Sequence, residues 1–166
     1  LNAPANPPVS EVNAKVTELN AATLNALNGE QFMLQLYRQL PFNNPAYRQL
    51  AAWLTTPFDG ALLQHCAVGK DRTGVGCDSE TVMEEYLLTH GMLTQVEAWM
   101  LELLGNDLTA QGRQSLADIL TVKESYLAAA LSAIQQRYGN VDAWLAEEYQ
   151  LTAPVRAAMQ GRLLED

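Results

Sequence analysis

Apolar residues recur every three or four positions over most of this chain, which predicts a succession of amphipathic helices. Val12, Val16 and Leu19 mark one over Glu11 to Leu27, and Phe32, Leu36 and Leu40 a second over Glu30 to Leu40. Pro41 ends the second, since proline has no N–H to donate and clashes with the preceding turn. Pro45 to Thr55 carries Tyr47, Leu50, Ala51 and Leu54 on one helical face. Further on, Ser79 to Thr89, Thr94 to Leu104, Val122 to Tyr138, Val141 to Tyr149 and Ala153 to Leu164 read as helices. Ser79 is the expected N-cap of the first of these, although Val82 leaves its capping box incomplete. Pro154 suits the first turn of the last helix. Each apolar stripe is expected to face the core, and Tyr126, Tyr138 and Tyr149 to be core or half-exposed. Leu1 to Ser10 holds three prolines and reads as an extended lead-in, with Ser10 as N-cap of the first helix. The period changes once: Ala61 to His65 is a short apolar run after the turn Thr56 to Gly60, and it reads as a buried strand.

Size and charge narrow the picture. A chain of 166 residues with 48% hydrophobic content suits one core, so residues 1–166 are expected to form a single domain. A formal charge of −9 argues against nucleic-acid partners, which call for a basic face. Two cysteines do not make a disulfide framework. No apolar run is long enough to span a bilayer, and no charged-then-apolar leader opens the chain. Localisation stays open between cytoplasm and export.

The chemistry lies in Ala61 to Gly76, ALLQHCAVGKDRTGVG. A cysteine thiol near pH 7 is a poor nucleophile unless a helix N-terminus or nearby cations favour its thiolate. If a strand ends at His65 and a helix starts near Thr73, the backbone N–H groups from Ala67 to Arg72 can converge on one anion. Gly69 permits the tight turn. Arg72 supplies a planar, permanently charged fork for two phosphate oxygens. The same field would keep Cys66 ionised.

HCAVGKDRTG resembles the His-Cys-x5-Arg-Thr/Ser phosphate loop of the cysteine-dependent phosphatases. Its Gly-Lys-Asp-Arg-Thr-Gly core is similar to that of the bacterial protein tyrosine phosphatases, including the secreted mycobacterial tyrosine and lipid phosphatases. ETVMEEYLLTH (Glu80 to His90) and the segment Glu124 to Thr152 are similar to the helical part of that family, so the likeness covers most of Leu62 to Asp166. The resemblance implies an α/β fold: a parallel sheet flanked by helices, with a large helical C-terminal portion. It implies Cys66 as the nucleophile forming a phosphocysteine intermediate. Arg72 and the N–H groups of Ala67, Val68, Gly69 and Lys70 would stabilise the transferring phosphoryl group. Thr73 would donate a hydrogen bond to the Cys66 sulfur, and His65 would orient the loop. Asp71 would protonate the leaving oxygen, the alternative being a simple ion pair with Lys70 or Arg72. Lys70 would be a second cation at the rim, a feature shared with phosphatases that accept inositol lipids, or an ordinary solvated charge.

The implied activity is hydrolysis of protein phosphotyrosine, releasing inorganic phosphate without a cofactor. Phosphoinositide hydrolysis and capture of phosphorylated ligands without turnover are the alternatives. A metal site built from His65, Cys66, Cys77 and His90 lacks zinc-ligand spacing. A nucleotide loop is excluded by Asp71 after Gly69-Lys70 and by the lack of a glycine five residues before Gly69. Met92, Trp99, Met100 and Leu103 either line a mouth beside the phosphate loop or pack in the core, and core packing is expected. The family's N-terminal strands with an Asp-Leu-Arg segment, and the long apolar helix after its loop, have no counterpart here. Further segments are therefore expected before Leu1 and between Gly76 and Cys77.

Overall fold

The computed structural model describes residues 20–57, 86–88 and 90–163. Their regular structure is entirely helical: α1 (Ala21–Ala26), α2 (Gly29–Gln39), α3 (Pro45–Thr55), α4 (His90–Leu104), α5 (Ala110–Leu120), α6 (Glu124–Tyr138), α7 (Val141–Tyr149) and α8 (Ala153–Leu163). Residues 86–88 are also helical. The expected parallel sheet flanked by helices is thus corrected. Among the described residues no strand occurs, and the helices bury their apolar faces on one another, α1 and α2 on α5 and α2 on α6. The strand expected at Ala61 to His65 lies outside the described residues, as do the lead-in Leu1 to Ser10, the Ser79 cap and the Gly76-Cys77 junction.

Asparagines start four of these helices. Asn20, Asn28, Asn44 and Asn140 have extended backbones, and their side chains accept from the N–H of Thr23, Gln31, Ala46 and Ala143. Each satisfies a donor that the first turn leaves without a partner. Asn20 also corrects the first helix, expected to run unbroken to Leu27. Its extended backbone caps a helix that starts at Ala21, and residues 11–19 lie outside the described residues. The C-terminus of α6 turns on Gly139, whose φ of 81° a side chain would strain.

The core is formed by Leu24, Met33, Tyr37, Leu116, Tyr126, Leu127, Ala130 and Ile134, all at or below 2% exposure. The α2 stripe is rotated from the expected one. Met33 and Tyr37 are its buried line, whereas Phe32 is 40% exposed and Leu36 and Leu40 lie at the edge. On α4, Leu93 and Met100 face inward, as expected for Met100. Trp99 and Leu103 do not follow the expected core packing. They share an adjoining, exposed stripe with Val96 and are 58% and 62% exposed. The Met92 side chain lies outside the described set.

A helix the periodicity did not mark, α5, lies at the centre. Thr109 caps it by accepting from Gly112 N–H at 3.1 Å. Its buried face includes Gly112, Ser115 and Asp118 as well as Leu116, Ile119 and Leu120. Ser115 donates to the Leu27 carbonyl at 2.6 Å. Gly29 approaches so closely that a Cβ there would lie 2.5 Å from the Ser115 carbonyl oxygen.

Candidate functional site

Two helical anchors bracket the stretch that carries the predicted site. Upstream, α3 ends at Thr55, and its terminal carbonyls are covered. Thr55 Oγ1 donates to Ala51 O at 2.8 Å, Thr56 Oγ1 to Ala52 O at 2.8 Å, and the Arg162 guanidinium from α8 to Leu54 O. Carbonyls left open at a helix end need such donors. Downstream, the chain returns at Tyr86, 2% exposed, whose hydroxyl shares a 3.0 Å hydrogen bond with that of Tyr37. Tyr37 in turn lies against Tyr126, ring centroids 5.7 Å apart, and the Tyr126 hydroxyl donates to Asp118 O at 3.1 Å. Burial pushes the Tyr126 phenol above its ordinary pKa, so it remains a donor. Both chain ends leading to residues 58–85 are therefore tied to the helical core. The predicted site residues themselves, His65, Cys66, Ala67, Val68, Gly69, Lys70, Asp71, Arg72 and Thr73, all lie outside the described residues.

The described structure contributes a groove that the sequence did not single out. It encloses about 800 Å³ between α3, the end of α7, and α8. Arg48, Ala51, Ala52 and Thr55 form one wall, and Val155, Ala158, Met159 and Arg162 the other. Both sets have the spacing i, i+3, i+4, i+7, one face of a helix over two turns. That pattern is readable in the chain, but its residues are too small or too polar to mark a core stripe.

One end of the groove is built around Glu148, whose side chain is 5% exposed. It accepts from Asn43 N–H at 2.7 Å and from the Tyr138 hydroxyl, and Arg48 Nη2 stands 3.6 Å away. Burial works against its ionisation, yet the hydrogen bonds from Tyr138 and Asn43, with Arg137 and Arg48 nearby, hold it below the usual carboxylate range. Tyr149 packs beside it, edge-on to Tyr47 and Trp144, and donates to Pro41 O at 2.6 Å. Its phenol is pushed up to about 12, chiefly by burial. Among the described residues no group of three or more His, Cys, Asp or Glu side chains could hold a metal, and no helix is long and apolar enough to cross a membrane.

Comparison with known proteins gives consistent results. The chain is 31% identical over 153 residues to the triple specificity protein phosphatase PtpB of Mycobacterium tuberculosis, covering 81% of this chain and 55% of that protein. It is 29% identical over 133 residues to a candidate tyrosine-protein phosphatase, H16_A0669, of Cupriavidus necator, covering 74% and 47%. The chain thus spans about half the length of the curated relatives it matches. The 153 aligned positions exceed the share of this 166-residue chain that they take in, so the mycobacterial protein carries residues within the matched span that have no counterpart here. Residues 2–165 match the profile of the tyrosine phosphatase family, nearly the whole length from the lead-in through α8, and the chain belongs to that family.

Proposed function

We propose that this chain is a cysteine-dependent phosphomonoesterase acting on protein phosphotyrosine, and that residues 1–166 belong to one phosphatase domain. The supporting observation is the family match over residues 2–165, which takes in HCAVGKDRTG with its nucleophile, cation and glycine in the required order. Cys66 attacks phosphorus, the P–O bond to tyrosine breaks, and Asp71 gives its proton to the departing phenolate oxygen. Water then attacks the phosphocysteine, gives a proton back to the Asp71 carboxylate and displaces the Cys66 thiolate, releasing inorganic phosphate, with Thr73 stabilising the leaving sulfur. Arg72 and the N–H groups of Ala67, Val68, Gly69 and Lys70 bear the phosphoryl charge in both steps. His65 orients the loop, and no cofactor enters either step.

A second substrate class, phosphoinositides, is favoured by Lys70 at the rim.

The deciding experiment is hydrolysis of an aryl phosphate by the wild type, Cys66→Ser and Asp71→Asn without added metal. Cys66→Ser is expected to abolish turnover, and a phosphocysteine should be trapped in the wild type. Equal rates in the wild type and Cys66→Ser would refute the nucleophile. Asp71→Asn is expected to slow alkyl phosphates more than activated aryl phosphates, because a good leaving group needs less protonation. Binding of phosphotyrosine without phosphate release would leave a capture module in place of an enzyme.

A further inference from the structure

The α4 helix is apolar on two sides and buries one of them. Leu93 and Met100 face the core, while Val96, Trp99 and Leu103 are exposed. A surface helix ordinarily shows one apolar stripe, and apolar residues on further sides belong to helices covered by further neighbours. Singly exposed apolar residues are ordinary, but a contiguous line with a tryptophan at its centre marks a contact surface. Val96, Trp99 and Leu103 stand at i, i+3 and i+7, a line about 10.5 Å long at 1.5 Å per residue. The charged residues of α4 are Glu97 and Glu102, with no lysine or arginine. Glu102, three residues after Trp99, borders the exposed line. A second copy would set like charges beside each other along this line, and an anionic lipid surface would meet the same charge.

A segment of this chain outside the structure has the complementary pattern. Glu11 to Leu19, EVNAKVTEL, is expected to be helical behind the Ser10 cap, with Val12, Val16 and Leu19 at i, i+4 and i+7. Read backwards, those intervals of four and three are the three and four of α4, so the two lines interlock when the helices run antiparallel. Lys15 borders the Val12 and Leu19 positions, whereas Glu11 and Glu18 fall further round the helix. The segment also joins the structure nearby. It is followed by Asn20, the cap of α1. Asn25, five residues on, donates to Asp107 O at 2.9 Å and accepts from Thr109 N–H at 2.8 Å, in the connection that follows α4. The short α1 carries the chain only about 7.5 Å between Asn20 and Asn25.

We propose that residues 11–19 form an amphipathic helix docked antiparallel on the exposed face of α4. Leu19 meets Val96, Val16 meets Trp99, Val12 meets Leu103, and Lys15 lies beside Glu102 as flanking charges do between paired helices. Because the segment is tethered, docking costs the ordering of its nine residues but not the loss of freedom of a separate partner. This contact is independent of the phosphatase reading.

Trp99 reports on the contact in the full chain carrying Trp53→Phe, since the third tryptophan, Trp144, is buried. Acrylamide should quench Trp99 weakly in this protein and strongly once Val16→Asp is added. That change is expected to shift the docked fraction roughly tenfold or more, the scale of one buried valine. Lys15→Glu should shift it about two- to fivefold, with Glu102→Lys restoring it. Amide exchange gives the reciprocal view: residues 12–19 should be protected in the full chain and lose protection in Leu103→Gln, a change at an exposed position. Equal quenching of Trp99 with and without Val16→Asp would overturn the proposal. So would protection of Trp99 that grows with protein concentration, which would make the face an interface between copies. Exchange of residues 12–19 as fast as in an unstructured peptide would overturn it as well.

Discussion

The junction of α1, α2 and α5 and the interface of α3 with α8 join helices of similar composition in opposite ways. At the first, glycine and serine bring backbones into contact, and polar side chains close the join. Asn25 donates to Asp107 O at 2.9 Å and accepts from Thr109 N–H at 2.8 Å, while Ser115 donates to Leu27 O. Lys123 clasps the neighbouring edge, 2.9 Å from Asp118 and 3.1 Å from Glu30, and the hydrogen bond to Asp118 raises its pKa above the ordinary lysine range. At the second, small residues face each other across open space of about 800 Å³. Small side chains lining a contact therefore say nothing by themselves about its purpose. At α5 they serve close approach, and between α3 and α8 they leave room.

Gly29→Ala breaks the contrast most sharply. In a helix this exchange ordinarily stabilises, by up to about 1 kcal/mol. Here the new Cβ would stand 2.5 Å from Ser115 O and 2.7 Å from Ser115 Cα, both backbone atoms that cannot rotate away. Forcing α2 and α5 apart is expected to cost about 2–3 kcal/mol net. That corresponds to a fall in Tm of roughly 5–10 °C for a domain of this size. Calorimetry showing an unchanged or higher Tm would mean that the two backbones are not in contact.

This junction also explains what the sequence concealed. The α5 segment, AQGRQSLADIL, gives no apolar periodicity because its inward face carries glycine, serine and aspartate. The local signal that could have found it was Thr109, a good N-cap ahead of a run with Leu116, Ile119 and Leu120. The helices α2, α3, α6 and α7 are legible because each carries large apolar residues at helical spacing. The sheet was inferred from family likeness and one apolar run, and the described helices instead pack on each other. The proposed phosphate loop is the reverse case. Its motif is local in sequence, so Cys66 and Arg72 can be proposed as site residues from the chain alone. The groove joins positions about a hundred residues apart, and only folding brings Arg48 and Arg162 to one surface.

The Glu148 cluster tests whether the floor of the groove is as firmly built as the α5 junction. Because its carboxyl is held below the ordinary value of 4.5, its contribution to stability is present above that value. The contribution is lost as pH falls through the lower folded value, where the folded carboxylate takes up its proton. Glu148→Gln keeps the shape and removes the charge. It is expected to cost about 1.5–2 kcal/mol at pH 7, the low end of the range for hydrogen bonds to a charged group. The gap from wild type should close on acidification below pH 4.5. Denaturant unfolding across pH 3 to 7 measures this directly. A gap independent of pH would show that Glu148 is not ionised in the folded protein.

Gly161→Ala carries the smallest effect and the opposite sign to Gly29→Ala. Gly161 lies in the last turn of α8 beside Arg162, and a Cβ built there meets nothing within 4 Å. The substitution should therefore recover part of the usual alanine preference, a gain of about 0.5 kcal/mol, reduced from the full value because helix ends fray. Two glycine-to-alanine changes, each within a helix of the same protein, would then move Tm in opposite directions, with local space as the cause. A loss of stability in Gly161→Ala would mean that the end of α8 is packed against another part of the chain. The groove would then be narrower than its lining implies, and the contrast with the close-packed α5 junction would weaken.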